Sequence, residues 1–309
     1  MRRCGGDGLA LPMALSLRAA ATACWFLFIL CAPWLSGCGF SGGIENPAFP
    51  LSVSRAGDEL REMEQTPVAP KRPIVVISGL SDFGLDADDL ASRVRRYVSP
   101  SATVIAVSPF RTSTVEDARR KLIAAIEREA PGTDPRETAE VDVVGFSFGG
   151  VLARYAALSS EDRARLEPPG APDAHGRASF KRLRIARLYC ICAPHLGSNA
   201  ADLPTIDDRE VAVRNGSAFL AELNRRAPKP GDRAYYETQC YARLDDRVVG
   251  VVNAGLPGRY PWWVSNLPGE RGHADAFKDP RILADIARRL RGEIPYTIEP
   301  PIRAPRGEE

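Results

Sequence analysis

Apolar positions fall along the chain in two alternating rhythms. Short continuous runs, "PIVVISG" from Pro73, "ATVIAVS" from Ala102 and "EVDVVGF" from Glu140, alternate with stretches where apolar residues recur every three or four positions. The runs have the length and β-branched content of buried strands, and the periodic stretches read as helices with one buried face. "DADDLASRVRRYV" puts Leu90, Val94 and Val98 on one face, while "TVEDARRKLIAAIEREA" opens on a Thr114 cap with acidic residues in its first turn. Beyond the third run the chain enters the helix "GGVLARYAALS", and two more strands follow, "RIARLYCICAP" and "RAYYETQCYARL". A last helix, "DPRILADIARRL", starts at Asp279 with Pro280 in its first turn, where the missing N–H costs nothing. Strands of this kind alternating with helices predict an α/β domain, a mostly parallel central sheet covered on both faces.

The pattern holds over residues 73–291 and is interrupted twice. "EPPGAPDAHGRAS", from Glu167, is rich in Pro and Gly, and residues 200–232 are polar and mostly helical. Segments 161–180 and 200–232 are therefore expected to be small cap or lid insertions. Residues 38–72, rich in Gly, Pro and charge without a sustained period, read as a flexible tether. The Pro-rich tail, 292–309, is expected to run over the surface.

The N-terminus has a different character. Arg2, Arg3 and Arg18 precede an apolar run from Ala19 to Leu35 that ends in Leu35-Ser36-Gly37-Cys38. This reads as a secretory signal over residues 1–37, with an uncleaved membrane anchor as the alternative. The "LSGC" stretch is similar to the bacterial lipoprotein box. That resemblance implies cleavage before Cys38, a lipid anchor on its thiol and, with Gly39 rather than Asp next, residence at the outer membrane of the cell envelope. A chain of 309 residues suffices for one large α/β domain. The formal net charge is only +2, and losing Arg2, Arg3, Arg18 and Asp7 with the signal balances basic against acidic residues. No nucleic-acid partner is expected, since nothing supplies a basic stripe.

Of seven cysteines, Cys190, Cys192 and Cys240 belong to the domain. Cys190 and Cys192 lie two apart on one strand and are expected on one face, where they would not easily bridge each other. Buried thiols in neighbouring strands are the reading, with a bridge to Cys240 as the alternative. No Cys/His spacing suggests zinc, and neither metal nor cofactor is expected.

The chemistry centres on "VDVVGFSFGGVLARY", where Ser147 sits between Gly145 and Gly149 at a strand-to-helix junction. In a G-x-S-x-G elbow the serine occupies a tight, strained turn, and the next helix points its positive end at a developing oxyanion. The Phe148 N–H is then one oxyanion donor. The loop "ISGLSDFG" after the first strand offers a second, from Leu80 or alternatively Ser81.

A catalytic serine needs a base, and the chain has three histidines. His175 lies in the Pro/Gly-rich excursion, and His195 follows a strand and could line the site. His273, before the final helix, leaves room for a preceding strand-end acid in the order Ser, acid, His. "CYARLDDRVVG" supplies two candidate acids, Asp245 and Asp246.

On these residues the chain resembles the α/β-hydrolase superfamily, and bacterial lipases and esterases in particular. The likeness spans Pro73 to Arg291. "VDVVGFSFGGVLARY" looks like the lipase elbow, "CAPHLGSNAADL" is similar to a Pro-His-x-Gly-Thr segment, "DDRVV" resembles an Asp-x-Val-Val acid turn, and "GHADAFKDPRI" looks like the histidine turn. The resemblance implies an α/β-hydrolase fold, with Ser147 as nucleophile, Asp246 as acid and His273 as base. It leaves His195 near the site in another role. Phe146 stands where many lipases carry His, and Ser78-Gly79 replaces the usual His-Gly of the oxyanion loop.

The expected activity is hydrolysis of carboxylic esters, including lipids, through an acyl-enzyme. Phe146, Phe148 and the residues around His195 and Leu196 are expected to form an acyl-compatible wall. Acyl transfer or thioester hydrolysis on the same residues is the nearest alternative, and an inactive envelope binding protein the more distant one.

Overall fold

Ile74–Ile77, four fully buried residues, form β1, which lies between β2 (Val104–Val107) and β3 (Val141–Phe146). These belong to a computed structural model that describes residues 46, 48–80, 82, 84–166, 181–202 and 204–306. The chain divides into two units, residues 1–41 and 42–309, and all that follows concerns the second. The expected signal sequence and Cys38 lie outside the described residues, as do His175 and most of segment 161–180.

In chain order the elements are α1 (Val53–Gln65), β1, α2 (Leu85–Val98), β2, α3 (Val115–Glu129), β3, α4 (Phe148–Ala157), α5 (Ser160–Arg163), β4 (Ile185–Ile191), α6 (Asp208–Ala212), α7 (Ala218–Arg226), β5 (Glu237–Arg243), β6 (Trp262–Val264) and α8 (Pro280–Arg291). The sheet runs β2-β1-β3-β4-β5-β6, and every described pair is parallel. Parallel pairing forces each connection to cross over the sheet, so helices cover both faces. One face packs against α3, α4 and α7, with Leu122, Ile126, Val151 and Leu223 buried there. The other packs against α1, α2 and α8, with Leu60, Leu90, Val94 and Ile286 buried. This is the α/β architecture the sequence predicts, and it brings the C-terminal ends of β1, β3, β4 and β5 to one edge.

Three features differ from expectation. Within the segment read as a tether, Ser52 accepts a hydrogen bond from the Arg55 N–H at 3.3 Å and starts α1. Ala56, Leu60 and Met63, spaced four and three apart, then bury one face against α2 and α8. The flanking Pro and Gly conceal this short period. β6 is the second difference: three residues, "WWV", too few for a pattern to register. Third, the tail does not merely trail. The Tyr296 and Thr297 N–H groups donate to Oδ1 of the buried Asp285 at 2.6 and 3.0 Å, and Thr297 is fully buried. Segment 200–232 contains two short helices, α6 and α7, that make up less than half of it, and Arg209 Nη1 donates to the Pro109 carbonyl at 3.0 Å.

If α1 is integral, replacing Leu60 by Ala should lower the unfolding free energy by about 2–5 kcal/mol, the usual range for a buried leucine. Urea denaturation measures it, and an unchanged midpoint would return residues 53–65 to the role of a tether.

Candidate active site

Ser147 is the first residue past β3, at φ 54° and ψ −129°, outside the regions that residues with a Cβ favour. Close packing holds it there. A Cβ on Gly149 would strike the Ile77 carbonyl, and one on Gly145 would lie 2.6 Å from the Gly150 nitrogen. Only glycine at both positions lets α4 begin directly against β1 and β3. The Ser147 N–H carries the ladder one step further, donating to the Ile191 carbonyl at 2.9 Å. The hydroxyl is left at the C-terminal edge of the sheet on a partly exposed residue.

His273 reaches that hydroxyl from the turn before α8. Its Nε2 is 2.9 Å from Ser147 Oγ, and its Nδ1 is 2.8 Å from Asp246 Oδ2. The turn is locked by Asp275, which accepts the Arg271 N–H at 2.9 Å and donates its own N–H to the Arg271 carbonyl at 2.9 Å. Burial pushes the Asp275 carboxyl up, but hydrogen bonds from Arg271 and Lys278 prevail and bring it down to about 2. The Phe146 ring lies 5.2 Å from the imidazole and 5.1 Å from the Phe277 ring, so it packs beside the histidine.

The two candidate acids separate cleanly. Asp246 directs Oδ1 at the Val248 and Val249 N–H groups, 2.9 and 3.0 Å away, leaving Oδ2 for His273. Burial pushes this carboxyl up, yet the hydrogen bonds and charge of His273, the Val249 N–H and the Cys192 thiol outweigh burial and hold it below the ordinary range. An ionised Asp246 only accepts, so the imidazole proton belongs on Nδ1 and Nε2 is free to accept from the serine. Asp245 instead makes a two-pronged ion pair with the buried Arg243, at 2.9 Å for each bond. Its carbonyl fills the space that a side chain on Gly272 would need, next to His273.

The loop after β1 runs along Ser147. A Cβ on Gly79 would stand 3.1 Å from Ser147 Cβ and 3.4 Å from its Oγ. Among the described residues neither the Leu80 nor the Phe148 N–H meets an acceptor. Both therefore remain available as the two donors expected for an oxyanion; Ser81 lies outside the described residues. Asp82, unremarked in the sequence, pins this loop. Its buried carboxylate accepts the Gly84, Asp86 and Ala87 N–H groups at 2.7, 2.9 and 3.1 Å. An Asp three to five residues before a helical period is the signal that marks it.

The expected acyl wall is not where it was placed. Phe146 and Phe148 are 4% and 1% exposed, and they belong to the cores on opposite faces of the sheet. His195 is fully buried, with Nδ1 3.2 Å from Arg154 Nη1, and so offers no surface to a substrate. Leu196 is half-buried, and its N–H donates to the Asn253 carbonyl at 3.0 Å. The reason is common to all these aromatics: a residue adjoining a strand end in a doubly covered sheet is claimed by the core first.

Cys192 also departs from expectation. At φ 48° it leaves the strand geometry, so its thiol sits on the face opposite Cys190. There its sulfur, an Asp246 oxygen and a His273 nitrogen lie within 4.8 Å of one another. Burial first, then Asp246 beside it, pushes the Cys192 thiol well up. It is therefore a protonated donor behind Asp246. The period-two expectation fails because the residue is already outside β4.

A hydroxyl, an imidazole and a carboxylate in series can activate the oxygen for attack on a carbonyl carbon. A cavity of about 160 Å³ lies at the other end of the strands among Glu137, Glu140, Arg182, Arg184 and Arg233, away from Ser147.

Comparison with protein-family models and with curated proteins finds no match. Among solved structures the chain is similar to the mature lipase BlEst2 of Bacillus licheniformis, at 18% identity over 72% of this chain and 94% of that one, with a TM-score of 0.45. It is similar to the phospholipase PlaB of Legionella pneumophila at 13% identity over 59% and 44% of the two chains, TM-score 0.43. For a putative cell surface hydrolase of Lactobacillus plantarum the figures are 10%, 72% and 92%, and 0.40.

Of the two aspartates only Asp246 is hydrogen-bonded to His273. Asp246→Asn should slow fluorophosphonate labelling of Ser147 by about 10³–10⁴-fold, and Asp245→Asn should slow it by no more than about tenfold if its part is only to position the turn. Labelling rates on intact protein distinguish them; equal losses would reassign the acid.

Proposed function

We propose that the protein is a serine hydrolase acting on carboxylic esters. The observation that carries this reading is the unbroken series Ser147 Oγ, His273 Nε2, His273 Nδ1 and Asp246 Oδ2, at 2.9 and 2.8 Å. In the proposed reaction His273 takes the proton of Ser147 as its oxygen attacks the ester carbonyl. The oxyanion is held by the Phe148 and Leu80 N–H groups, and α4 adds the positive end of its dipole. His273 then returns the proton to the departing alkoxide, and water repeats the sequence to release the acid. Acyl transfer to an alcohol or hydrolysis of a thioester would use the same groups and differs only in who attacks or leaves.

Lipid anchoring at Cys38 and an outer-membrane location belong to the same proposal, supported by the "LSGC" stretch alone. Among the described residues no helix is long and apolar enough to cross a membrane. α6 and α7 serve in this reading as a small cap, since Arg209 ties α6 to the loop after β2 and Asn224 Nδ2 donates to the His195 carbonyl at 2.9 Å.

Because Phe146 and Phe148 are core residues, the apolar wall that would favour long acyl chains loses its two aromatics. The proposal accordingly is a preference for short esters. Purified protein should turn over p-nitrophenyl acetate or butyrate with a higher kcat/KM than the palmitate ester, and a reversed order would restore the lipase reading. Ser147→Ala should abolish turnover while the cooperative unfolding transition persists. Undiminished hydrolysis by that variant would end the serine-hydrolase proposal.

A further inference from the structure

Beneath α4, on the face of the sheet away from Cys192, two thiols lie side by side and take no part in the proposed hydrolysis. Cys190 of β4 and Cys240 of β5 are register partners on parallel strands, and both are free. Both belong to the core on the face covered by α3, α4 and α7, so their side chains leave the sheet on the same side. Their sulfurs and a ring nitrogen of His195 lie within 4.8 Å of one another. Cys190 Sγ lies close under α4, where a Cβ on Gly150 would stand 3.0 Å from it.

Two kinds of chemistry compete for such a cluster. Two thiols and an imidazole would suit a soft metal ion, provided the ring offered a lone pair. Arg154 Nη1, however, stands 3.2 Å from His195 Nδ1. A guanidinium only donates, so Nδ1 accepts and the ring proton belongs on Nε2. Neither ring nitrogen is then free to ligate. A disulfide asks for less. Neighbouring strands of a sheet lie about 4.8 Å apart, so register partners fall inside the roughly 4.4–6.8 Å between Cα atoms that a disulfide spans. Their side chains leave the sheet together, so neither excessive distance nor divergent direction bars the bond. Cys192 is no rival, since its thiol sits on the opposite face. The two thiols also differ in access. Cys240 is 8% exposed and lines a narrow surface cleft with Thr238, Leu256, Arg259 and Tyr260, whereas Cys190 is fully buried.

We propose that Cys190 and Cys240 are a redox pair that closes into a disulfide across β4 and β5 when the folded chain meets a low-molecular-weight disulfide. Cys240 is the entry sulfur and Cys190 the resolving one. Cys240 loses its proton and attacks one sulfur of the reagent. That sulfur–sulfur bond breaks, a mixed disulfide forms on Cys240, and the first small thiolate leaves. Cys190 then loses its proton, attacks the Cys240 sulfur and expels the second small thiolate. The two protein thiols are oxidised by two electrons, and the reagent is reduced to two thiols that take up the two protons. The bond ties together the strands whose C-terminal ends lead to Cys192 and to Asp246.

The full chain tests this after reduction, removal of reductant and treatment with excess 2-hydroxyethyl disulfide at neutral pH. The reaction is quenched with acid, remaining thiols are alkylated, and the chain is digested without reductant for peptide mapping. The Cys190–Cys240 cross-link should be at least about tenfold more abundant than any cross-link to Cys192, whose geometry forbids it. In Cys190→Ala, Cys240 should stop at the mixed disulfide, and in Cys240→Ala, Cys190 should stay a free thiol. A wild-type map in which Cys240 stays free, stops at the mixed disulfide or pairs with Cys192 would overturn the proposal. So would a Cys190 that reacts as fast without Cys240 as with it. Should either variant fail to fold, the wild-type map decides, with the urea-unfolded chain as its control. A cross-link no more abundant in the folded chain than in the unfolded one, where seven cysteines compete, would equally refute it.

Discussion

One backbone conformation governs the whole edge of the sheet. Ser147 at φ 54° and ψ −129° costs about 1–3 kcal/mol if left to itself, so it persists only where its neighbours leave no alternative. Gly149 under the Ile77 carbonyl and Gly145 against Gly150 remove the room to relax. The Ser147 N–H is already committed to Ile191. Once the serine is fixed, α4 must start over β1, and the loop after β1 must pass the hydroxyl without a side chain, which is what Gly79 allows. The parallel order of the strands then decides which other loops can reach the same point: those after β5 and before α8.

The same order explains what could be read without coordinates. The three parallel strand–helix units were legible because buried strands and amphipathic helices carry different periods. That Ser147, Asp246 and His273 would meet was legible because each stands at a boundary between such segments, at the same end of a parallel sheet. What escaped has two causes. α1 and β6 are short, and one of them is flanked by turn residues, so propensity there points away from the packed state that burial of Leu60 and Trp262 enforces. Phe146, Phe148 and His195 were assigned to a substrate wall by proximity in sequence, but proximity does not choose between core and cleft. Their burial does.

Charges at the site's edge follow a consistent plan. Arg243 is fully buried yet holds Asp245 in two bonds and also meets Glu270. Arg281 is similarly held by Asp279 and by Ser265 Oγ at 2.9 Å. Such buried pairs add little net stability compared with apolar packing, but removing one partner is expensive. Their value here is geometric. Arg243 orients the turn that presents Asp246, and the Asp245 carbonyl abuts Gly272 in the histidine loop. The neighbour that looked like a rival acid thus acts as a spacer between the proposed acid and base.

The buried thiols follow a different rule, set by where the chain turns after β4. Cys190, the last but one residue of the strand, still obeys the strand's alternation and points under α4. Cys192, two residues later, has rotated to φ 48° and points to the other face, behind Asp246. A regular strand would have stacked both thiols on one side and left Asp246 without its sulfur donor. The turn separates them into two electrostatic settings. On one side Cys192 meets a carboxylate, which keeps its proton in place. On the other, the Cys190 and Cys240 sulfurs lie within 4.8 Å of a ring nitrogen of the buried His195. A single left-handed residue therefore divides the thiol behind Asp246 from the pair of buried thiols beneath α4.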